Sequence, residues 1–376
     1  MAAAAMSVQM KSNIFGLDFH PSAEVVAIGM ITGAVHIFDH GSGTSLRRVL
    51  RVKAHKGSCR AARFSPSGAE LYTGGTDAAL NALDAKTGKM GWQRAKAHPS
   101  PINALIPLRE RGVVTGDDDG RLKVWDVRTD AAVMEFHEQE DYISDMWYAQ
   151  EKHDALLVTS GDGTFAWFDL RKQALGALSD NLEDELLSVA LVKHGRKVVC
   201  GSQGGVLNAF SYGKFGDVSD RHPGHPGSID SIAVVDEETV VTGSSDGYLR
   251  MVSVQPWRLV QVVGDHGGLP VEVVRANAQR TLLASCAHDC TLRLWDLTRR
   301  RPDAESDGPA VGDGGGALLG AGGSDDDDAD SDDESEERGK RKRKRKKSAR
   351  AEMLAPQQQP GRQVLLDDAF TAGLTE

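Results

Sequence analysis

The chain has little of what would mark a cofactor, a membrane or a disulfide framework. Its four cysteines are Cys59, Cys200, Cys286 and Cys290. None forms a Cys-x-x-Cys pair, so neither a zinc site nor a disulfide scaffold is implied. Cys286 and Cys290 flank a turn and read as small residues on paired strands. No uninterrupted apolar run approaches the ~18–20 residues needed to span a bilayer. Met1 to Met6 lacks a basic start and a long apolar core, and so makes a poor signal peptide. The expectation is a soluble, intracellular protein without a membrane partner. Catalytic signatures are missing as well: there is no Gly-x-Ser-x-Gly elbow, no His-Glu-x-x-His and no phosphate loop. Gly312-x-Gly314 follows no strand pattern and sits in low-complexity sequence. No enzymatic activity, small-molecule substrate, cofactor or metal is therefore expected. Aromatics make up only 6% of the chain while there are 41 glycines, the balance of many short strands and turns. The net charge of −10 and pI of about 5.7 argue against the folded part as a general nucleic-acid clamp.

What is present is a repeat. Val113 to Arg128 reads Val-Val-Thr-Gly-Asp-Asp-Asp-Gly-Arg-Leu-Lys-Val-Trp-Asp-Val-Arg. This is a strand, a tight turn in which Gly120 tolerates positive φ, and a second strand closing on Trp125-Asp126. The closing position recurs as Phe38-Asp39, Leu83-Asp84, Trp125-Asp126, Phe168-Asp169, Phe210-Ser211, Val252-Ser253 and Trp295-Asp296. Successive second residues are 45, 42, 43, 42, 42 and 43 apart by subtraction. Such a period with a Trp-Asp ending signals four-stranded propeller blades. Seven residues earlier stand Thr32, Asp77, Asp119, Asp162, Gly204, Asp246 and Asp289, and His55, His98, His137, His225 and His266 lie upstream of five repeats. On these residues the chain resembles the WD-repeat family over residues 1 to about 300.

The expected fold is all-β, a seven-bladed WD-repeat β-propeller over residues 1–300, followed by a disordered tail, acidic then basic, over 301–376. One blade cannot bury its faces alone, so the repeats form one unit. The last repeat runs out at Leu297 into basic residues and Pro302, a poor fourth strand. Ser7 to Lys11 is the candidate to complete it and close the edge. Blade one lacks the upstream His and the turn Asp, and blade five has Gly204-Gly205 and no His, so both are expected to lack an internal polar network.

The resemblance implies a structural tetrad of His, Thr or Ser, Asp and Trp. In blade three this is His98, Thr115, Asp119 and Trp125; in blade seven it is His266, Ser285, Asp289 and Trp295. The Asp accepts the imidazole hydrogen bond, the hydroxyl bridges and the indole N–H completes the chain. Recurrence across blades argues for structure, because an active site occurs once.

After residue 301 the composition changes. Gly312 to Gly323 leads into an acidic run from Asp325 to Glu337, then eight basic residues, Lys340, Arg341, Lys342, Arg343, Lys344, Arg345, Lys346 and Lys347. Too little apolar surface is present to offset ordering entropy. The octapeptide reads as a nuclear or nucleolar address; the alternative is a solvated charge run. Ser324, Ser331 and Ser335 precede acidic residues and resemble acidic-directed kinase sites. Val364 to Phe370 is either a short docking motif or a loose apolar end.

Two repeats end in Trp125-Asp126-Val127-Arg128 and Phe168-Asp169-Leu170-Arg171. Val113 to Arg128 is similar to the sixteen-residue box of receptors for cullin-4 ubiquitin ligases, and Leu156 to Arg171 is similar with Phe in place of Trp. In such receptors the Arg docks on the damage-specific DNA-binding adaptor. The alternative is an exposed arginine at a strand end. The whole layout resembles the WD repeat-containing protein 55 family. That resemblance implies a nuclear and nucleolar scaffold, with some cytoplasmic presence allowed, serving ribosomal RNA production, ribosome biogenesis and cell-cycle progression. It also implies protein partners, pre-ribosomal factors and the cullin-4 adaptor among them, and a monomer.

Overall fold

The structure, a computed structural model, describes residues 4–298 apart from 42, 43, 110 and 130. The chain divides into Met1–Ser306 and Asp307–Glu376, and the second unit lies outside the described residues. The expected ring limit at residue 300, the tail from 301, the octapeptide Lys340 to Lys347 and the Val364 to Phe370 stretch fall outside them too.

The described residues form seven antiparallel four-stranded sheets. Blade three is typical, with strands Ile102–Pro107, Gly112–Asp117, Leu122–Asp126 and Ala132–Phe136 in sequence order. The first strand of each blade packs on the first strand of the next, and the contact between Val271–Ala276 and Ile14–Phe19 closes the ring. Blade seven takes its outer strand from the N-terminus: Met6–Gln9 pairs with Thr291–Asp296, Met6 opposite Leu294. The Ser7 to Lys11 expectation is met, and the last sheet gains an outer strand that the C-terminal end of the repeat does not supply.

Burial follows position in the blade. The second strands are almost wholly buried, as in Ala155–Ser160, and so read as continuous apolar runs. Outer strands such as Ala174–Leu178 alternate exposed and half-buried residues, one face toward solvent. The core is a series of inter-blade layers. Phe136 and Phe168, for example, bring blades three and four together with ring centroids 4.8 Å apart. Turns are set by backbone as well. Gly120 has φ of 79°, and a Cβ there would meet the Gln139 carbonyl oxygen at 2.2 Å, so only glycine fits this turn.

Candidate functional site

The polar networks inside the blades come first, because they hold the loops that could bind a partner. In blade seven His266 Nδ1 donates to Asp289 at 2.8 Å, Ser285 Oγ lies 2.7 Å from His266 Nε2, and Trp295 Nε1 donates to Ser285 Oγ at 2.8 Å. The neutral Nδ1–H tautomer satisfies all three bonds at once. Burial pushes the His266 imidazole below its ordinary pKa, against the pull of Asp289. Burial pushes the Asp289 carboxyl up, yet hydrogen bonds from Thr291 and His266 outweigh it and hold the group below its usual range.

Blade three closes the same circuit through a different carboxylate. His98 Nδ1 donates to Asp117 at 2.9 Å, Thr115 Oγ1 lies 2.6 Å from His98 Nε2, and Trp125 Nε1 donates to Thr115 Oγ1 at 2.9 Å. Asp119, the expected member, is corrected to Asp117. The run Asp117-Asp118-Asp119 offers three carboxylates. Asp117 ends the buried strand and has no solvent exposure. Asp119 sits exposed at the turn tip, and its own N–H donates to Asp117. Asp117 also accepts the Arg121 N–H at 2.8 Å, so one buried carboxylate organises both the histidine and the turn.

His137 stands apart from the other upstream histidines. It is exposed, lies 3.1 Å from the Asp119 carbonyl oxygen through Nε2, and belongs to no tetrad. Gln139 is the buried residue of that loop and donates to Thr164 Oγ1 at 3.2 Å. The residue ten positions before the first residue of each closing pair explains the pattern: Ile28, Thr73, Thr115, Val158, Cys200, Thr242 and Ser285. A hydroxyl stands there in four blades, and those are the blades whose histidines, His55, His98, His225 and His266, reach it.

The rim comes next. The Val127 N–H donates to the Arg111 carbonyl and the Leu170 N–H to the Asp154 carbonyl. In each blade the turn after the first strand therefore lies beside the turn after the third, and Arg128 and Arg171 stand on the same face of adjacent blades. Asp126 Oδ1 accepts the Arg128 N–H at 2.9 Å, and its carboxylate takes Arg128 Nε at 2.9 and 3.0 Å. Hydrogen bonds from the Arg128 side chain and then its backbone hold the Asp126 carboxyl at about 2. The Arg128 side chain is 62% exposed while folded onto this carboxylate. Arg171 is exposed, and its N–H caps Asp169 at 3.0 Å. Between them Arg109 of blade three reaches Asp154 of blade four at 2.8 Å and the Tyr148 hydroxyl at 3.3 Å. That inter-blade link was not visible in the sequence, because it joins two loops of no repeated pattern.

Among the described residues, no group of three or more His, Cys, Asp or Glu side chains is arranged to hold a metal ion. Burial raises the Cys59 thiol to about 12 and Cys286 well above its usual value, so both behave as small core residues.

Comparison with known proteins places this ring. The family described as WDR55 matches residues 5–299. The chain belongs to the WDR55 family. It is 41% identical over 293 residues to WD repeat-containing protein 55 of Arabidopsis thaliana, covering 78% of this chain and 82% of that one. It is 38% identical over 287 residues to WD repeat-containing protein 55 of Mus musculus, covering 76% of this chain and 74% of that one. It is 34% identical over 353 residues to WD repeat-containing protein JIP5 of Malassezia globosa, covering 80% and 84%. WDR55 membership carries a WD-repeat propeller, an architecture for protein–protein interaction.

Proposed function

We propose that this chain is a non-enzymatic scaffold of the nucleus and nucleolus, supporting ribosomal RNA production and ribosome biogenesis, and with them cell-cycle progression. Membership of the WDR55 family carries the reading. The basic run Lys340 to Lys347 supports the address, and polar networks repeated from blade to blade act as struts rather than as a reaction centre. Replacing the octapeptide with Gly and Ser is expected to shift a fluorescently tagged protein from nucleus to cytoplasm while the ring melts as before. Unchanged nuclear localisation would remove this address from the proposal. Purification from nuclei is expected to enrich pre-ribosomal factors over cytoplasmic ones.

A second reading is favoured by one observation: the exposed Arg128 and Arg171 occupy one face of neighbouring blades. In it the chain is a substrate receptor that docks these arginines on the cullin-4 adaptor. A planar guanidinium on a rigid rim suits a carboxylate or carbonyl groove, with little ordering left to lose. Truncating an anchoring arginine costs ~2 kcal/mol, roughly thirtyfold in affinity. Arg128→Ala is expected to weaken adaptor capture more than Arg171→Ala, because Arg128 follows the Trp-Asp pair of a closed tetrad. Full capture by the double variant would leave only the scaffold reading.

A further inference from the structure

The ring encloses a second feature, independent of the rim arginines. A cavity of about 360 Å³ lies among the first strands of the blades. Its polar wall is Arg63 from blade two, Asp145 from blade four, Arg275 from blade seven, and Asn277 and Arg280 from the first turn of blade seven, with Ala278 beside them. Trp147, Ile106 and Ile232 form an apolar wall. The first turns of the blades share the Arg128 face, so the cavity's blade-seven wall belongs to that face.

Three guanidinium groups and one carboxylate line this space, and their pairing is loose. Arg275 lies 3.7 Å from Asp145, outside hydrogen-bond length. Its Nη1 donates to Ser231 Oγ at 3.3 Å and the Val274 carbonyl at 3.0 Å. Arg63 makes one hydrogen bond among the described residues, from Nη1 to the Leu17 carbonyl at 2.6 Å. Asp18, beside Arg63, turns its carboxylate to the Phe64 N–H at 2.8 Å. Arg280 is 3.7 Å from Glu237, whose carboxylate already takes the His194 N–H at 2.7 Å. A guanidinium carries five donors in a fixed fork, so donors on all three remain for an acceptor in the cavity. Burial, and then the neighbouring Arg275, depress Arg63 to about 10. A bound anion would relieve that repulsion.

We propose that this cavity is a binding site for an acidic side chain of a partner protein, an aspartate or glutamate flanked by apolar residues. The carboxylate meets the forks of Arg63 and Arg275, and Arg280 gathers it at the mouth. The apolar neighbours pack on Trp147, Ile106 and Ile232. A single negative charge fits better than a phosphoryl dianion, because Asp145 stands in the same wall and Asp18 behind it.

The test uses the full chain and three acetylated, amidated peptides, Gly-Leu-Glu-Phe-Gly, its Gln counterpart and its phosphoserine counterpart, in calorimetric titration at low salt. The Glu peptide is expected to bind at least tenfold more tightly than the Gln peptide. Arg275→Gln and Arg280→Gln are each expected to weaken the Glu peptide by about tenfold, and Ala278→Trp, at an exposed wall position, to block it. Thermal melts accompany each variant. Should Arg275→Gln fail to fold, the exposed Ala278 and half-exposed Arg280 variants still decide the matter. Equal binding of the Glu and Gln peptides, absence of binding at millimolar peptide, or binding untouched by Ala278→Trp would overturn the site. Tighter binding of the phosphoserine peptide would overturn the carboxylate assignment.

Discussion

Blades six and seven carry nearly the same polar residues and use them differently. In blade seven the carboxylate, imidazole, hydroxyl and indole form one closed chain. In blade six Thr242 Oγ1 lies 2.8 Å from His225 Nε2, but Nδ1 is buried without a partner among the described residues. Asp246 has turned away, and Arg250 grips both its oxygens at 3.0 and 2.6 Å. Arg293 stands in the equivalent place in blade seven, four residues past its Asp, yet takes one oxygen of Asp289. The difference lies in the turn. Thr291 Oγ1 donates to Asp289 Oδ1 at 2.6 Å and blocks the two-pronged grip. Tyr248 occupies that place in blade six and packs its ring 5.1 Å from the Arg250 guanidinium instead. One turn residue thus decides whether the aspartate serves the arginine or the histidine. Val252 in place of Trp removes the last link as well.

The largest test of this contrast is at the aspartates of blade three. Asp117 is buried and pairs with His98 and the Arg121 N–H, whereas Asp119 is exposed. Asp117→Ala is expected to lower unfolding stability by about 3 kcal/mol or more, since it strands a buried imidazole and turn N–H groups. Asp119→Ala is expected to stay within about 0.5 kcal/mol. Comparable losses in urea unfolding would return the tetrad to Asp119.

Acid separates the blades next. Burial, then the nearby Arg250, lowers His225 from 6.5 to about 4 in the folded ring. The unfolded chain therefore binds this proton first as pH falls. The contribution is complete above the unfolded pKa and is lost between about pH 6.5 and 4. At pH 5 the loss from this residue is on the order of 2 kcal/mol relative to pH 7.5. Wild type should lose that much more than His225→Asn over the same interval. His36, also lowered to about 4 by burial first and then by Arg48 and Arg51, contributes equally to both proteins. Identical pH profiles would show that His225 is bonded through Nδ1 in solution.

The turn comparison gives a gain rather than a loss. Tyr248→Thr is expected to occupy one oxygen of Asp246, loosen the Arg250 grip and return a carboxylate to His225. The new hydrogen bond is worth about 1 kcal/mol, seen as a raised urea midpoint and a smaller acid loss. A lowered midpoint at pH 7.5 would mean that the Tyr248–Arg250 contact outweighs the histidine bond.

Much of this was legible in the chain. The period of 42–45 residues and the Trp-Asp positions carried the blade count, and the weak end of the last repeat pointed to the N-terminal strand. A hydroxyl ten residues before the first residue of the closing pair is a sequence signal that separates blades two, three, six and seven from the others. His137 lies upstream of blade four like the other histidines yet reaches no hydroxyl, because the position there is Val158. Asp119 misled because spacing from the closing pair fixes the turn but not which of three adjacent carboxylates faces inward. Arg63, Asp145 and Arg275 could not be assembled in advance. They come from three blades with no shared motif, and only ring closure brings them to one cavity.

The smallest expected effect compares the two rim arginines. Blade three has a closed tetrad behind Arg128, and Asp126 holds the guanidinium; blade four has Val158 and Phe168 behind Arg171, with Asp169 capping only its backbone N–H. The Asp126–Arg128 pair is well formed, and Asp126 sits at about 2 because of it. The pair is nevertheless mostly solvated on the arginine side, so solvent screening and side-chain ordering leave it worth only a few tenths of a kcal/mol. Arg128→Ala is therefore expected to cost up to about 0.5 kcal/mol, and Arg171→Ala less still. Raising the salt from 0.05 to 1 M should erase the difference between them, because an exposed pair is screened at a Debye length of about 3 Å. A loss above about 1 kcal/mol for Arg128→Ala, or one that persists in high salt, would make the arginine a strut of blade three rather than a group held out for a partner. The opposite outcome, two silent substitutions in the melt, would leave the role of both arginines to be judged by binding alone.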